Sequence, residues 1–157
     1  MLTIVSTASL ECPLGRLKIT ATDRGIDSIT FAEGAQDVSH ATTMLQRAMQ
    51  ELEGYFLGSL KHFSVPLVMR GTEFQQRVWD ALLTIPFGQT VTYGEIAKEI
   101  GHPLAVRAVG TAVGENPLAI IVPFHRVLPA SGGVGNYASG SDKKAWLLRH
   151  EGVTIGK

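Results

Sequence analysis

Two threonine signals constrain this chain more than any other feature. Thr72 is followed three residues later by Gln75, and Thr92 by Glu95. In each pair the hydroxyl and the longer side chain can satisfy backbone donors that a first helical turn leaves free, so each predicts a helix N-terminus. After Thr72, the residues Phe74, Val78, Ala81 and Leu82 form an apolar stripe at helical spacing. The turn "IPFGQ", Ile85 to Gln89, ends that helix, because Pro86 has no donor and Gly88 accepts positive φ. After Thr92 a short helix is expected from Tyr93 to Ile100, stopped by Gly101. Pro103 is expected to open another, running through Leu104 to Gly114. Helix, tight turn, helix at this length is the helix-turn-helix pattern.

Upstream the period is two. "LTIVSTA" (Leu2 to Ala8), "RLKITAT" (Arg16 to Thr22) and "IDSITFA" (Ile26 to Ala32), with a turn at Asp23 to Gly25, read as a small antiparallel sheet. From Thr43 the spacing of Leu45, Ala48, Met49, Leu52, Tyr55 and Phe56 predicts a helix that Gly58 ends. The boundary between lobes is placed near Val68 to Glu73. The expected fold is α/β of the α+β kind: a small antiparallel-sheet lobe over residues 1–70 and a helical domain over 71–157 with a winged-helix-like helix-turn-helix.

Composition excludes some chemistry. No apolar run approaches the ~20 residues that a membrane-spanning helix needs, and the N-terminus lacks a secretory signal pattern, so a cytoplasmic protein is expected. Cys12 is the only cysteine, which rules out an intrachain disulfide and thiolate zinc clusters; its plainest reading is a half-buried strand or turn residue. No metal site is expected. Charge is balanced in both halves, six basic against seven acidic groups in residues 1–71 and eight against seven in 72–157. Charge alone therefore makes no case for nucleic acid, although a short groove-binding element can be locally basic on a neutral protein.

The second helix of the hairpin is thin for one that reads bases. Ala105, Ala108, Gly110, Thr111 and Ala112 give it little bulk, and Arg107 is its only charge. Such a helix can lie close to a backbone or enter a narrow groove, where one arginine can pair with phosphate or reach into the duplex. The competing reading is a core helix with Arg107 at its exposed edge, and patterning alone favours it. Downstream, "IVPFHRVL" sets Phe124 beside His125. His125 is the natural proton handler, with an ordinary pKa of about 6.5, and Glu151 could orient it by accepting from one ring nitrogen. Asn116 offers an amide and Tyr93 a phenol to a base edge or a developing charge. Taken singly, each has a structural reading that is the stronger one. A hydrolase in which His125 and Glu151 activate water is a further alternative, but no oxyanion site is evident.

Order and spacing change the balance. The run from Phe74 to Gly152, with "TYGEIA", "RAVGTAVGENP", "HRV" and "LLRHEG" in sequence, closely resembles the C-terminal domain of the O6-alkylguanine-DNA alkyltransferases. The upstream segments resemble that family's companion lobe, including "CPLG" at Cys12 to Gly15. The resemblance implies a repair protein that binds duplex DNA in the minor groove and flips alkylated guanine into a pocket, with no cofactor. Arg107 would enter the helix as the base leaves it, and Tyr93 would contact the flipped guanine. Asn116 would bridge the helix-turn-helix to the active-site strand, and His125 with Glu151 would form the activating relay. It further places Thr92, Ala105, Ala108 and Arg126 on the DNA side, and Tyr137, Ser139 and Val127 around the base. The implied partner is double-stranded DNA containing O6-alkylguanine, with other repair proteins as further partners, the protein itself acting as a monomer away from membranes.

One position departs from the family. Its members read Pro-Cys-His-Arg, and the cysteine thiolate accepts the alkyl group; this chain has Phe124 there. A phenyl ring is no nucleophile, whereas a thiolate beside histidine is a very good one. The expectation is a protein that binds the lesion without transferring the alkyl group. It would be either a natural alkyltransferase-like lesion sensor or a repair enzyme whose cysteine was replaced. The full N-terminal lobe and the retained Arg107, Tyr93, His125 and Glu151 tilt toward the second. The ring either fills the space of the alkyl group or offers a face for an extruded base, worth about 1–3 kcal/mol if the two stack.

Overall fold

The computed structural model of the chain describes residues 6–32, 42–135, 137 and 140–154. It is a mixed α/β fold in which the described residues form five α-helices, a three-stranded antiparallel sheet and a two-stranded parallel one. The chain divides into two compact units, one drawn from residues up to Arg70 with Pro117–Ala119, the other from Gly71–Asn116 and from Ile120 onward. None of the described helices is long and apolar enough to cross a membrane.

In the first unit β1 (Ser6–Cys12), β2 (Gly15–Ala21) and β3 (Ile26–Ala32) pair in sequence order. The part of the expected first strand from Leu2 to Val5 lies outside the described residues. Leu17, Ile19 and Ala21 alternate onto the buried face of the central strand, the period-two signature of a sheet with one covered side. Helix α1 (Thr43–Leu57) packs on all three strands. Thr42 caps it by accepting from the Leu45 N–H at 3.2 Å, and Gly58 ends it at φ 83°. Leu45, Ala48, Leu52 and Tyr55 are buried as the spacing predicts, while Met49 and Phe56 sit at the half-buried margin. Glu51 shares the buried stripe because its carboxylate accepts from the Ser64 and Val65 N–H groups at 2.9 and 3.1 Å.

Pro117–Ala119, assigned by the sequence boundary to the second lobe, joins the sheet of the first. The Ile29 N–H donates to the Pro117 carbonyl at 2.8 Å, and the Ala119 N–H to the Ile29 carbonyl at 3.1 Å. Hydrophobic patterning cannot register so short an excursion. The next residue, Ile120, is fully buried at φ 73°, a conformation that costs a β-branched residue on the order of 1–3 kcal/mol.

The second unit contains α2 (Glu73–Leu83), β4 (Val91–Thr92), α3 (Tyr93–Glu99), α4 (Val106–Gly114), a 3-10 turn (Phe124–Arg126), β5 (Val127–Leu128) and α5 (Ser141–His150). Both capping boxes form as read from the sequence, at Thr72 with Gln75 and at Thr92 with Glu95. On α2 the buried aromatic is Trp79, with Phe74 half-exposed. The indole reverses the expectation because its N–H finds a carbonyl, that of Ala112 on α4, at 2.9 Å. Helix α4 starts at Val106, later than expected. The Ala105 N–H donates to the His102 carbonyl at 2.9 Å, so Pro103 and Leu104 occupy a turn, where proline is equally well suited at the second position. Strands β4 and β5 run parallel, Val91 opposite Val127 and Thr92 opposite Leu128.

The capping box gives a direct test. Thr72→Ala is expected to lower stability by about 1 kcal/mol, read as a lower urea midpoint with an unchanged slope; an unchanged midpoint would show that the box contributes nothing to α2.

Candidate active-site cleft and nucleic-acid interface

The run of apolar residues from Leu118 to Val122 is buried and delivers the 3-10 turn into the interior, so that Phe124, His125 and Arg126 are all buried. Their polar atoms must therefore find partners in the protein. Glu151, at the C-terminal end of α5, supplies most of them. Its carboxylate accepts from Arg126 Nε at 2.8 Å and Nη2 at 2.9 Å, from His125 Nε2 at 2.8 Å and from the Gly88 N–H at 3.0 Å. The remaining Arg126 nitrogen, Nη1, donates to the Ile85 carbonyl at 2.6 Å. Gly88 can point its N–H inward because it adopts φ 82°.

This arrangement corrects one expectation. Arg126 was placed on the DNA side, but its guanidinium is enclosed and each of its three nitrogens already donates within the protein. A buried cation is retained only where it is paired, and Glu151 is the pair.

His125 is fully buried. Burial pushes its imidazole below the ordinary range, against the bond and charge of Glu151, which raise it; the charges of Arg126 and Lys144 push it down further. The ring is thus neutral near pH 7. A carboxylate can only accept, so the proton sits on Nε2, and Nδ1 presents its lone pair. Nδ1 has no protein partner among the described residues. The geometry is that of an acceptor held in place by a carboxylate. It can take a proton from a neighbouring donor, and Phe124 offers none.

Beside this knot lies an open cleft of about 930 Å³, lined among others by Tyr93, Arg107, Gly110, Phe124, Ser131 and Tyr137. Tyr93 opens α3 directly after the Thr92 cap. A Cβ added to Gly110 would stand 3.8 Å from the Tyr93 ring, an ordinary contact, so the packing of α4 on α3 does not itself require glycine there. The Phe124 and Tyr137 rings stack at 4.6 Å between centroids, inclined by 20°. The Tyr137 hydroxyl is buried with no hydrogen-bond partner among the described residues, and burial pushes its phenol up; burial also raises Tyr93.

The outer face of α4 is open. Val109, Ala112 and Val113 are buried, while Val106, Arg107, Ala108 and Thr111 are exposed. Arg107 thus stands on the rim of the cleft, and Ala105 is half-buried before the helix. Thr92 uses its hydroxyl to cap α3, accepting from the Glu95 N–H at 3.1 Å. Asn116 is buried just beyond the C-terminus of α4. Val127 is fully buried and does not line the cleft; its carbonyl accepts from Lys144 Nζ at 2.7 Å. Ser139 lies outside the described residues. Lys144 was missed in the sequence. Its signal was its place on α5, three and four residues before the buried Leu147 and Leu148, which puts a lysine on the apolar stripe.

Residues 73–153 match the family model "6-O-methylguanine DNA methyltransferase, DNA binding domain", and residues 5–69 match "6-O-methylguanine DNA methyltransferase, ribonuclease-like domain". A methylated-DNA–protein-cysteine methyltransferase of Methanosarcina acetivorans is 46% identical over 151 residues, covering 92% of this chain and 97% of its own. The crystal structure of Mycobacterium tuberculosis O6-methylguanine methyltransferase superposes with a TM-score of 0.86 at 42% identity, covering 94% of this chain and 93% of its own. The S. pombe protein Atl1, in complex with damaged DNA containing O6-carboxymethylguanine, matches 57% of this chain and 84% of its own with a TM-score of 0.50 at 37% identity. Matched in both of its parts, the chain belongs to the 6-O-methylguanine DNA methyltransferase family.

Proposed function

We propose that this protein binds duplex DNA through the exposed face of α4, takes an extruded O6-alkylguanine into the cleft, and leaves the alkyl group in place. The observation that carries the reading is Phe124, which is buried beside the His125–Glu151 pair and lines the cleft. In the family's pattern a cysteine occupies this place and its sulfur captures the alkyl carbon. Transfer requires a new S–C bond while the O6–C bond breaks, with the electron pair passing to the guanine oxygen and a proton following it. The phenyl ring has no lone pair to begin that step. His125 Nδ1 remains as an acceptor with no thiol to deprotonate. Cys12 belongs to β1 of the other unit and does not line the cleft.

Arg107 stands on the cleft rim, where it would hold the space left in the duplex. Tyr93 and Tyr137 would contact the base, and Asn116 would fix the C-terminal end of α4. Atl1, whose structure holds damaged DNA, supports a natural lesion sensor. The retained His125, Glu151 and N-terminal unit support a repair enzyme that has lost its acceptor. A water-activating hydrolase would have to use His125 Nδ1 as its base, since Glu151 already accepts from four donors, and no observation favours it over lesion binding.

Binding to a duplex with one O6-methylguanine is expected to exceed binding to the same duplex undamaged, and Arg107→Ala is expected to reduce that preference about tenfold without moving the melting temperature. Equal affinity for both duplexes would contradict lesion recognition, and an unchanged preference in Arg107→Ala would contradict extrusion by that residue. For the phosphate contacts, affinity is expected to fall steeply and log-linearly with salt; salt independence would count against a backbone-tracking face. Phe124→Cys is expected to restore one stoichiometric transfer, seen as a single methyl on the intact protein. Continued inertness would place the loss elsewhere in the site.

A further inference from the structure

Lys144 has no part in the mechanism above, yet it is the least expected residue in the unit. Its side chain is fully buried, which lysine almost never accepts without compensation. The ammonium donates to the Val127 carbonyl at 2.7 Å and lies 5.9 Å from the centroid of the Tyr93 ring, within reach of a cation–π attraction. The glycine-rich segment closes on it as well. Gly135 adopts φ 74°, and a Cβ added there would meet Pro129 Cγ at 2.7 Å and approach Lys144 Nζ to 3.8 Å. Tyr93, Pro129 and Gly135 all line the cleft. One buried cation is therefore bonded to β5 and lies behind two cleft walls, one carried by α3 at Tyr93 and one at Pro129 and Gly135.

We propose that Lys144 is a positioning residue of the lesion cleft: anchored on the Val127 carbonyl behind the cleft, it holds the Tyr93 ring on one wall at a fixed distance from the Pro129–Gly135 wall, the spacing an extruded base requires. The inference rests on the lesion-binding reading and deepens it. A charge-assisted bond is stronger than a neutral one, and the attraction to the ring requires the charge, so the positioning belongs to the ammonium and not merely to the volume of the side chain. Burial also pushes Lys144 down to about 8, which brings loss of that charge within experimental reach. Titratable and charged groups face it from several elements. Tyr93 of α3 and Tyr137 are pushed above their ordinary range, and His125 of the 3-10 turn is pushed below its own. Arg126 of the same turn is paired with Glu151. On α5 itself Asp142, Lys143, Arg149 and His150 complete the set.

The test compares the full chain with Lys144→Met, which keeps an unbranched side chain, one atom shorter, and removes the charge. Affinity is measured for one duplex with and without a single O6-methylguanine, from about pH 7 to pH 9. The expected result is a lesion preference that falls about tenfold in Lys144→Met at pH 7, with affinity for the undamaged duplex unchanged. In the parent the preference is expected to decline as pH rises through about 8, and in the variant to be low and flat. A variant that keeps the parent's preference overturns the proposal, as does one that loses both affinities equally. Should the variant fail to fold, the parent alone decides, since a preference that does not change across the pH series overturns it. A parent that shows no preference at pH 7 overturns the lesion-binding reading first, and this inference with it.

Discussion

The carboxylate of Glu151 organises the second unit. Four donors converge on it: two from Arg126, one from His125 and one from the Gly88 backbone. They arrive from the 3-10 turn and from the loop after α2, while the carboxylate itself comes from the end of α5. Removing one member of such a buried pair strands a charge and costs about 3–5 kcal/mol. The pairing therefore fixes the turn that carries Phe124 whether or not any chemistry follows. If the His125–Glu151 pair is the proposed relay, it doubles as a structural fastening, and would persist in a chain without the reacting atom.

Around that fastening the cleft divides labour among small sequence decisions. Gly110 and the alanines of α4 give the helix a slender exposed face. Arg107 is the only charge on that face. Phe124 fills its position by stacking on Tyr137 at 4.6 Å, a separation that leaves no room for a base between the two rings. A base entering as proposed would have to use the open side of the cleft or displace the Tyr137 ring. In the proposed reading one residue, Phe124, would both deny the cleft a nucleophile and shape the surface that a lesion meets.

Much of this was legible in the sequence, and the failures have a common cause. The capping boxes at Thr72 and Thr92 formed because they depend on residues three apart and nothing else. The strands of the small sheet and helix α1 followed their periodicities for the same reason. Proline at 103 was ambiguous, since it suits a first helical turn and a reverse turn equally, and the bond from Ala105 to His102 settled the matter. Arg126 is expected on the DNA side and Lys144 is not singled out at all, because their partners, Glu151 and the Val127 carbonyl, are 25 and 17 residues away. Local pattern cannot reveal a long-range pairing, and it was these pairings that decided which cations face solvent. The family resemblance brought Tyr93, His125 and Glu151 to notice together; Lys144 emerged only from the packed interior.

The central claim is that a ring stands where sulfur would have captured the alkyl carbon, so recognition outlasts repair. Its most direct test is the intact mass of the unaltered protein after saturation with a duplex containing O6-methylguanine, recorded with the amount of complex formed. The account predicts a complex with the damaged duplex and a polypeptide mass identical to that of the starting protein. A polypeptide heavier by one methyl group would contradict it.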